Sequence, residues 1–164
     1  MATQFYATVT GARQGAFKGE TKQKGREGKI LGVAFSYGVL SPHDVSSGAG
    51  QATGKRLHQP VVFTKEWGAS TPQFYQAAFT NETLTSILFE FIVTNRDGTQ
   101  QIDHTIKLTN ASIIAVRQML PDCQPAGSLV DPRELQEISF TFQKIEIVSL
   151  TGGVQAIDES SINV

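Results

Sequence analysis

The 164-residue chain contains one cysteine, Cys123, and only three histidines. A single thiol excludes an internal disulfide and a structural zinc site built from several cysteines. The three histidines are too few and too scattered to form a metal site, so we interpret them as structural residues. We therefore expect no metal and no cofactor, and the residues do not predict an enzyme.

The sequence also lacks a charge excess and a long apolar run. The sequence has fourteen Lys and Arg residues and fifteen Asp and Glu residues, and this balance argues against a dedicated nucleic-acid binder. The apolar stretch 87–93 is interrupted by Glu90, and a membrane-spanning helix needs about 20 apolar residues. The N-terminal residues have no charged region followed by an apolar one, so we expect no Sec-type signal peptide. We expect folding in the cytoplasm, no nucleic-acid partner and no membrane insertion.

Glycine and phenylalanine are plentiful, with fifteen and ten residues, and apolar residues alternate at a period of two. Such alternation predicts strands, with irregularities near Asn110 and Lys144 where the alternation changes face. The strands are predicted over residues 5–10, 30–39, 61–65, 84–94, 101–116 and 135–150. The segment Ser70-Thr71-Pro72 supplies an N-cap hydroxyl and a first-turn proline for one short helix ending near Thr80.

These elements predict a mainly β protein. We expect a small antiparallel β-barrel or sandwich with one short flanking α-helix and a long extended loop, as one domain over residues 1–164. Residues 151–164 are polar, contain a double glycine and are interpreted as a surface tail.

Two hydrophilic segments interrupt the strands. The segment 12–28 and the residue after it carry a basic cluster, which is either an anion or partner contact or, as the charge pattern favours, an exposed solvated loop. Its members are Lys18, Lys22, Lys24, Arg26 and Lys29. The other segment, 41–60, is long for a loop in a small domain, and such loops are generally functional or disordered.

The strand 84–94 carries apolar residues on both faces, which a subunit interface would explain. Together with the extended loop 41–60, whose glycines allow close backbone approach, it predicts contacts between subunits. The suspected interface residues are His43, Asp44, Val45, Gly48, Gly50, Lys55, Arg56, Leu88 and Ile92.

The order of these features resembles the Hcp (hemolysin-coregulated protein) family, the inner-tube proteins of type VI secretion systems. The motif Gly19-Glu20-Thr21 follows the first strand, and 28–39 resembles the second strand. The stretch 54–65 resembles the strand before the helix, which begins at Ser70-Thr71-Pro72. The stretches 106–111 and 137–145 resemble two late strands, so the resemblance extends over most of the chain.

The resemblance implies a small β-barrel that forms homohexameric rings, which stack into a hollow tube. It also implies a contractile sheath around the tube, a VgrG-like spike protein at its tip and effector proteins as cargo. Contraction would expel the tube, so the protein would be cytoplasmic when assembled and then secreted. No catalysis is implied.

Other classes stay open on the residues alone. A monomeric β-barrel binding module predicts a ligand cavity inside the barrel, and an esterase-like hydrolase predicts a serine close to His58 or His104. The tube of a related phage-tail-like contractile device is a further alternative.

Overall fold

The computed structural model describes residues 4–43, 54–120 and 133–159. In the N-terminal half of that part, the strands are β1 (Gln4–Gly11), β2 (Gly15–Ala16), β3 (Ile30–Ser36), β4 (Val39–Leu40), β5 (Leu57–His58) and β6 (Val61–Glu66). The helix α1 (Thr71–Phe79) follows. The remaining strands are β7 (Leu84–Thr94), β8 (Gln100–Met119), β9 (Leu135–Thr141), β10 (Lys144–Ser149) and β11 (Val154–Glu159).

Six strands close into an antiparallel barrel. The hydrogen-bonded order is β8, β7, β1, β3, β6 and β9, and β9 pairs again with β8. The strands β10 and β11 extend the sheet beyond the first half of β8, and β4 pairs with β5 in a separate two-stranded sheet. The expected mainly β fold with one short helix is confirmed, and of the two architectures considered it is the barrel.

The barrel closes because β8 changes partner at Asn110. Before this residue β8 pairs with β10, with Thr109 opposite Lys144, and after it β8 pairs with β9, with Ser112 opposite Thr141. Asn110 has a φ of 50°, a left-handed conformation that asparagine tolerates better than most residues. The predicted irregularity near Asn110 is confirmed as this bend.

Phenylalanine rings fill the barrel interior. Phe63 and Phe89 are fully buried, with ring centroids 5.4 Å apart, and Phe5 packs on Phe63 at 6.0 Å. The helix α1 joins this core through Phe74, whose ring lies 5.0 Å from that of Phe17. The alternation in β1, β6 and β7 therefore reports a buried inner face, as expected for barrel strands.

At the start of α1, the hydroxyl that accepts a backbone N–H is not the one predicted. Ser70 occupies the N-cap position, but its side chain makes no capping hydrogen bond. Instead the hydroxyl of Thr71 accepts a hydrogen bond from the Gly68 N–H at 3.0 Å. The neighbouring hydroxyl therefore accepts an N–H just before the helix, and Pro72 lies in the first turn as predicted.

Three predicted segments need correction. The stretch 30–39 forms two strands, β3 and β4, and 135–150 forms β9 and β10, because the chain breaks at Phe142-Gln143. Residues 154–159 are not part of a tail. They form β11, which pairs with β10 from Lys144 to Ser149, because the turn at Gly153, with a φ of 63°, reverses the chain.

Within the three described ranges, no helix combines the length and the apolar character needed to cross a membrane.

Candidate assembly interface

The described ends of the extended loop form a two-limbed projection, which we call the loop base (residues 38–43 and 54–59). Val39 pairs with His58 and Leu40 with Leu57, and the Gln59 N–H donates to the Gly38 carbonyl at 2.9 Å. Further out, a Cβ on Gly54 would lie 3.4 Å from the Pro42 ring, so the limbs stay adjacent there. The suspected interface residues Asp44, Val45, Gly48 and Gly50 lie outside the described residues, as does Cys123.

The loop base exposes apolar side chains on both limbs. Leu57 is 62% exposed and Leu40 is 53% exposed, and Val39 is exposed beside them. None of the three belongs to the barrel core. Leu40 and Leu57 are paired across the two limbs, so they form an exposed apolar pair that a protein–protein contact would bury. Of the other suspected residues on this projection, His43, Lys55 and Arg56 are also exposed.

The loop base is attached to β11 by a polar cluster that we call the Asp158 clamp (Tyr37, Arg56, His58 and Asp158). The Nε and Nη2 atoms of Arg56 both donate to the Asp158 carboxylate. The Nε2 atom of His58 lies 2.6 Å from an oxygen of the same carboxylate, and its Nδ1 atom lies 2.6 Å from the Tyr37 hydroxyl. A two-pronged contact between guanidinium and carboxylate fixes both position and direction.

Electrostatics and burial both act on this cluster. The hydrogen bonds from Arg56 are the main reason that the pKa of Asp158 falls to about 2, so the carboxylate is charged at neutral pH. Burial raises the pKa of Tyr37, with a smaller contribution from the Asp158 charge, so this phenol is neutral. A neutral hydroxyl, an imidazole and a carboxylate thus form one chain of hydrogen bonds.

Aromatic packing supports the same cluster. The rings of Tyr37 and His58 stack at 6.1 Å, and both face the edge or surface of Phe142, at 5.9 Å and 5.2 Å. Phe142 lies in the break between β9 and β10. A groove of about 170 Å³ lies between the loop base and the β10–β11 pair. Besides the clamp residues, it is lined by Val39, Ile145, Ile147, Ala156 and Ile157.

The basic cluster is only partly the exposed loop that the charge pattern predicts. Lys18, Lys22 and Lys24 are exposed. Arg26 and Lys29 are half-buried, which corrects the expectation for these two residues.

Both half-buried cations have partners on the outer face of the barrel. The Arg26 guanidinium lies 5.1 Å from the centre of the Tyr6 ring, and Lys29 Nζ lies 2.5 Å from Glu90. The segment therefore folds back over β1 and β7. The charge of Lys29 neutralises the buried Glu90 carboxylate, and Arg26 makes a cation–π contact with Tyr6.

The motif Gly19-Glu20-Thr21 has a structural reason at its first residue. A Cβ on Gly19 would overlap the Lys29 carbonyl group, and the Gly19 N–H donates to the Gly28 carbonyl at 3.0 Å. The Thr21 carbonyl accepts from the Gly28 N–H at 3.0 Å. The two sides of the basic segment are thereby held together, so a side chain at position 19 is excluded.

Strand β7 is buried on both faces, as its two-sided apolar pattern predicts. Leu88 and Ile92 are predicted to share the outer face of β7. Leu88 is half-buried, whereas Ile92 is 0% exposed. The expectation that Ile92 offers its side chain to another subunit is therefore corrected, because the side chain lies inside this one. Leu88 remains a candidate for such a contact.

The alternative classes have specific obstacles. Both ring nitrogens of His58 are engaged by Tyr37 and Asp158, so His58 is not placed to activate a serine. The rings of Phe5, Phe63 and Phe89 occupy the barrel interior that a ligand would need. Across residues 4–43, 54–120 and 133–159, no group of three or more His, Cys, Asp or Glu residues could hold a metal ion.

Sequence reasoning found Arg56 but missed Tyr37, His58 and Asp158 as members of one cluster. Asp158 is 100 residues from His58 along the chain, and no local pattern joins them. The available signal was the placement of Arg56 and His58 two residues apart. On a strand this spacing puts both side chains on one face.

Comparisons with known proteins agree with this architecture. A family profile described as "Type VI secretion system effector, Hcp" matches residues 6–148. The chain is 32% identical over 168 residues to the "Major exported protein" of Pseudomonas aeruginosa, covering 97% of this chain and 96% of the relative.

Solved structures are similar over nearly the whole chain. A crystal structure of an Hcp protein has a TM-score of 0.86 and 25% identity, covering 95% of this chain and 96% of that one. A mutant of Hcp1 from E. coli EAEC 042 has a TM-score of 0.82 and 26% identity, covering 96% and 99%. The fold thus defines a closed six-stranded β-barrel protein with a projecting hairpin. Within that class, the chain belongs to the Hcp family of type VI secretion systems.

Proposed function

We propose that the protein is a structural component that forms homohexameric rings, and that these rings stack into the inner tube of a type VI secretion system. Membership of the Hcp family supports this role. The observation that carries it is the loop base, whose exposed Leu40 and Leu57 belong to no apolar core cluster in the described part of the subunit. Apolar groups held away from the core gain stability when another copy covers them.

A ring requires two different surfaces on each subunit. In a cyclic head-to-tail assembly one surface of each copy meets a second surface of the next, and the contacts close when the rotation does. The loop base supplies one candidate surface, and the extended loop 41–60 is long enough to reach a neighbouring subunit or ring. In this proposal the role is non-catalytic and needs no cofactor.

The proposed partners follow from the same role. They are further copies of the chain, a VgrG-like spike protein, a contractile sheath and effector proteins carried in the tube. The subunit assembles in the cytoplasm and leaves the cell with the expelled tube, in line with its similarity to the major exported protein of Pseudomonas aeruginosa. Nucleic acid and membrane insertion have no part in it.

Light scattering coupled to size exclusion, with electron microscopy of the same fractions, tests this function. We expect a hexameric mass and annular particles that stack at high concentration. Deleting residues 45–53 should leave a folded subunit and impair rings or tubes. A protein that stays monomeric at high concentration, with no annular particles, would overturn the proposed function. Unchanged assembly after the deletion would overturn the role of the loop alone.

A further inference from the structure

The backbone of the loop base continues from β3 and β6, and side chains hold it against the rest of the sheet. The sheet formed by β4 and β5 shares no backbone pairing with the barrel strands in the described part of the chain. The Gln59 N–H bond to the Gly38 carbonyl closes the hairpin on itself, and does not attach it to the barrel. The backbone links to β3 and β6, which pair up to Ser36 and Val62, hold the start of the loop base, and side chains fix how it lies against β10 and β11.

Among the described residues, the polar side chains that join it to the main sheet are those of the Asp158 clamp. Arg56 precedes β5 and His58 lies in it, and both reach one carboxylate on β11. Tyr37, between β3 and β4, holds the other side of the imidazole. The Asp158 carboxylate thus binds the limb that contains Arg56 and His58. The His58 imidazole links this limb to Tyr37, which precedes the other limb.

We propose that Asp158 is a positioning residue for assembly: it fixes the direction in which the extended loop leaves the barrel, so that the loop meets the next subunit or ring. This inference rests on the proposed tube function and names the residue that governs it. A projection free to swing would lose conformational entropy on every contact that it forms. The clamp orders the projection within the isolated subunit, so this entropy is lost before assembly and not during it.

The arrangement explains why β11 is present beside a barrel that is already closed. The strand adds no residue to the apolar core cluster, yet it pairs with the whole of β10 and places Asp158 beside Arg56 and His58. Since each ring would contain six loops, a small loss of alignment in one subunit is repeated in every copy. Assembly is then far more sensitive to the clamp than subunit stability is.

The test compares Asp158→Asn with Glu159→Gln. Both substitutions neutralise one carboxylate on β11, and Glu159 is an exposed residue adjacent to Asp158. We expect Asp158→Asn to keep the wild-type circular dichroism spectrum, to be cleaved several-fold faster by protease within 41–60, and to lose most stacked tubes. We expect Glu159→Gln to behave like wild type in all three measurements.

A charge exchange separates positioning from general damage. Arg56→Asp alone places two carboxylates together and should abolish tubes, whereas Arg56→Asp combined with Asp158→Arg restores an opposite-charge pair and should recover them in part. If the substitutions at positions 56 and 158 damaged the protein independently, their effects would add up in the double variant, with no recovery.

The outcomes distinguish the two hypotheses. If wild type assembles and Asp158→Asn forms the same tubes with the same cleavage rate, the positioning role is wrong while the tube function stands. If the double variant assembles no better than Arg56→Asp, the positioning role is also wrong. If wild type itself forms no rings, the proposed function fails, and the inference that depends on it fails too.

Discussion

At the scale of single residues, the clearest polar anchor is Glu82, which is 4% exposed between α1 and β7. Its carboxylate accepts the Gln14 N–H at 2.8 Å and the Gln14 side-chain amide at 2.9 Å, and it also accepts the Arg13 N–H. Burial alone would raise the pKa of Glu82, but these hydrogen bonds lower it below 4.5. The carboxylate thereby fastens the turn between β1 and β2.

We predict that Glu82→Ala destabilises the subunit by about 2–3 kcal/mol, because it leaves backbone N–H groups without their charged acceptor. Urea unfolding at neutral pH measures this loss, with Glu27→Ala, an exposed carboxylate, as the control. Because the folded pKa is lowered, the contribution of Glu82 is present above pH 4.5 and declines as the pH falls below it. Equal stability of the two variants would contradict this prediction.

Lys65 is the opposite case, a buried cation with neutral partners. It is 1% exposed, and its Nζ donates to the Glu66 carbonyl at 2.6 Å and to the Thr71 hydroxyl at 3.1 Å. Burial lowers the pKa of Lys65, and the nearby Glu20 carboxylate opposes that shift only in part. The folded protein therefore holds this proton less tightly than the unfolded chain does.

We predict that Lys65 makes the subunit more stable as the pH rises toward 10.5, the ordinary lysine value, since the unfolded state binds more protons just below it. Lys65→Met removes the buried charge and should flatten this pH dependence, while the stability at pH 7 changes by less than about 2 kcal/mol. Thermal unfolding across this pH range measures both quantities. A slope that survives the substitution would show that another group causes it.

At the scale of elements, Gly19 links a sequence motif to the shape of the basic segment. We predict that Gly19→Ala destabilises the subunit by about 1–3 kcal/mol, because the new methyl group would overlap the Lys29 carbonyl and displace the backbone. Loss of the neighbouring contact between Lys29 and Glu90 should accompany it. Gly54→Ala is the matched control, since a Cβ there would make only an ordinary contact. Urea unfolding of the two variants measures this difference. Equal midpoints for Gly19→Ala and Gly54→Ala would contradict the prediction.

Elements with one buried face could be predicted from the sequence. The bounds of β7 agree with the predicted strand 84–94, and α1 lies within the predicted helix, because burial of one face imposes a period that a pattern reveals. The strand β11 was missed because four of its first five residues, from Val154 to Asp158, stay exposed, and pairing with β10 imposes no strict alternation on it. Its contribution is the position of Asp158.

The break between β9 and β10 shows a related limit. Apolar parity changes at Lys144, and the sequence gives no way to distinguish a bulge in one strand from a turn between two. The structure places the break at Phe142-Gln143, where Phe142 turns to contact Tyr37 and His58. Tyr37 and His58 lie far from Phe142 in sequence, so no local pattern could reveal this ring contact.

At the scale of the whole molecule, the apolar loop base should matter for assembly and not for folding. We predict that Leu57→Asp leaves the unfolding midpoint of the isolated subunit nearly unchanged, because Leu57 is 62% exposed, and that it reduces ring or tube formation, because a contact with a neighbour would bury the new charge without a partner. Light scattering and electron microscopy measure assembly, and thermal unfolding measures the subunit.

Leu150→Asp is the matched control for that experiment, since Leu150 is 53% exposed but lies in the turn after β10, outside the loop base. If Leu57→Asp assembles normally, the loop base is not the surface that meets another copy. If both substitutions impair assembly equally, exposed leucines matter wherever they lie, and the loop base has no special role. Impairment by Leu57→Asp alone would locate the contact on the projection, and the barrel would then serve as the rigid support from which each subunit extends its loop to the next.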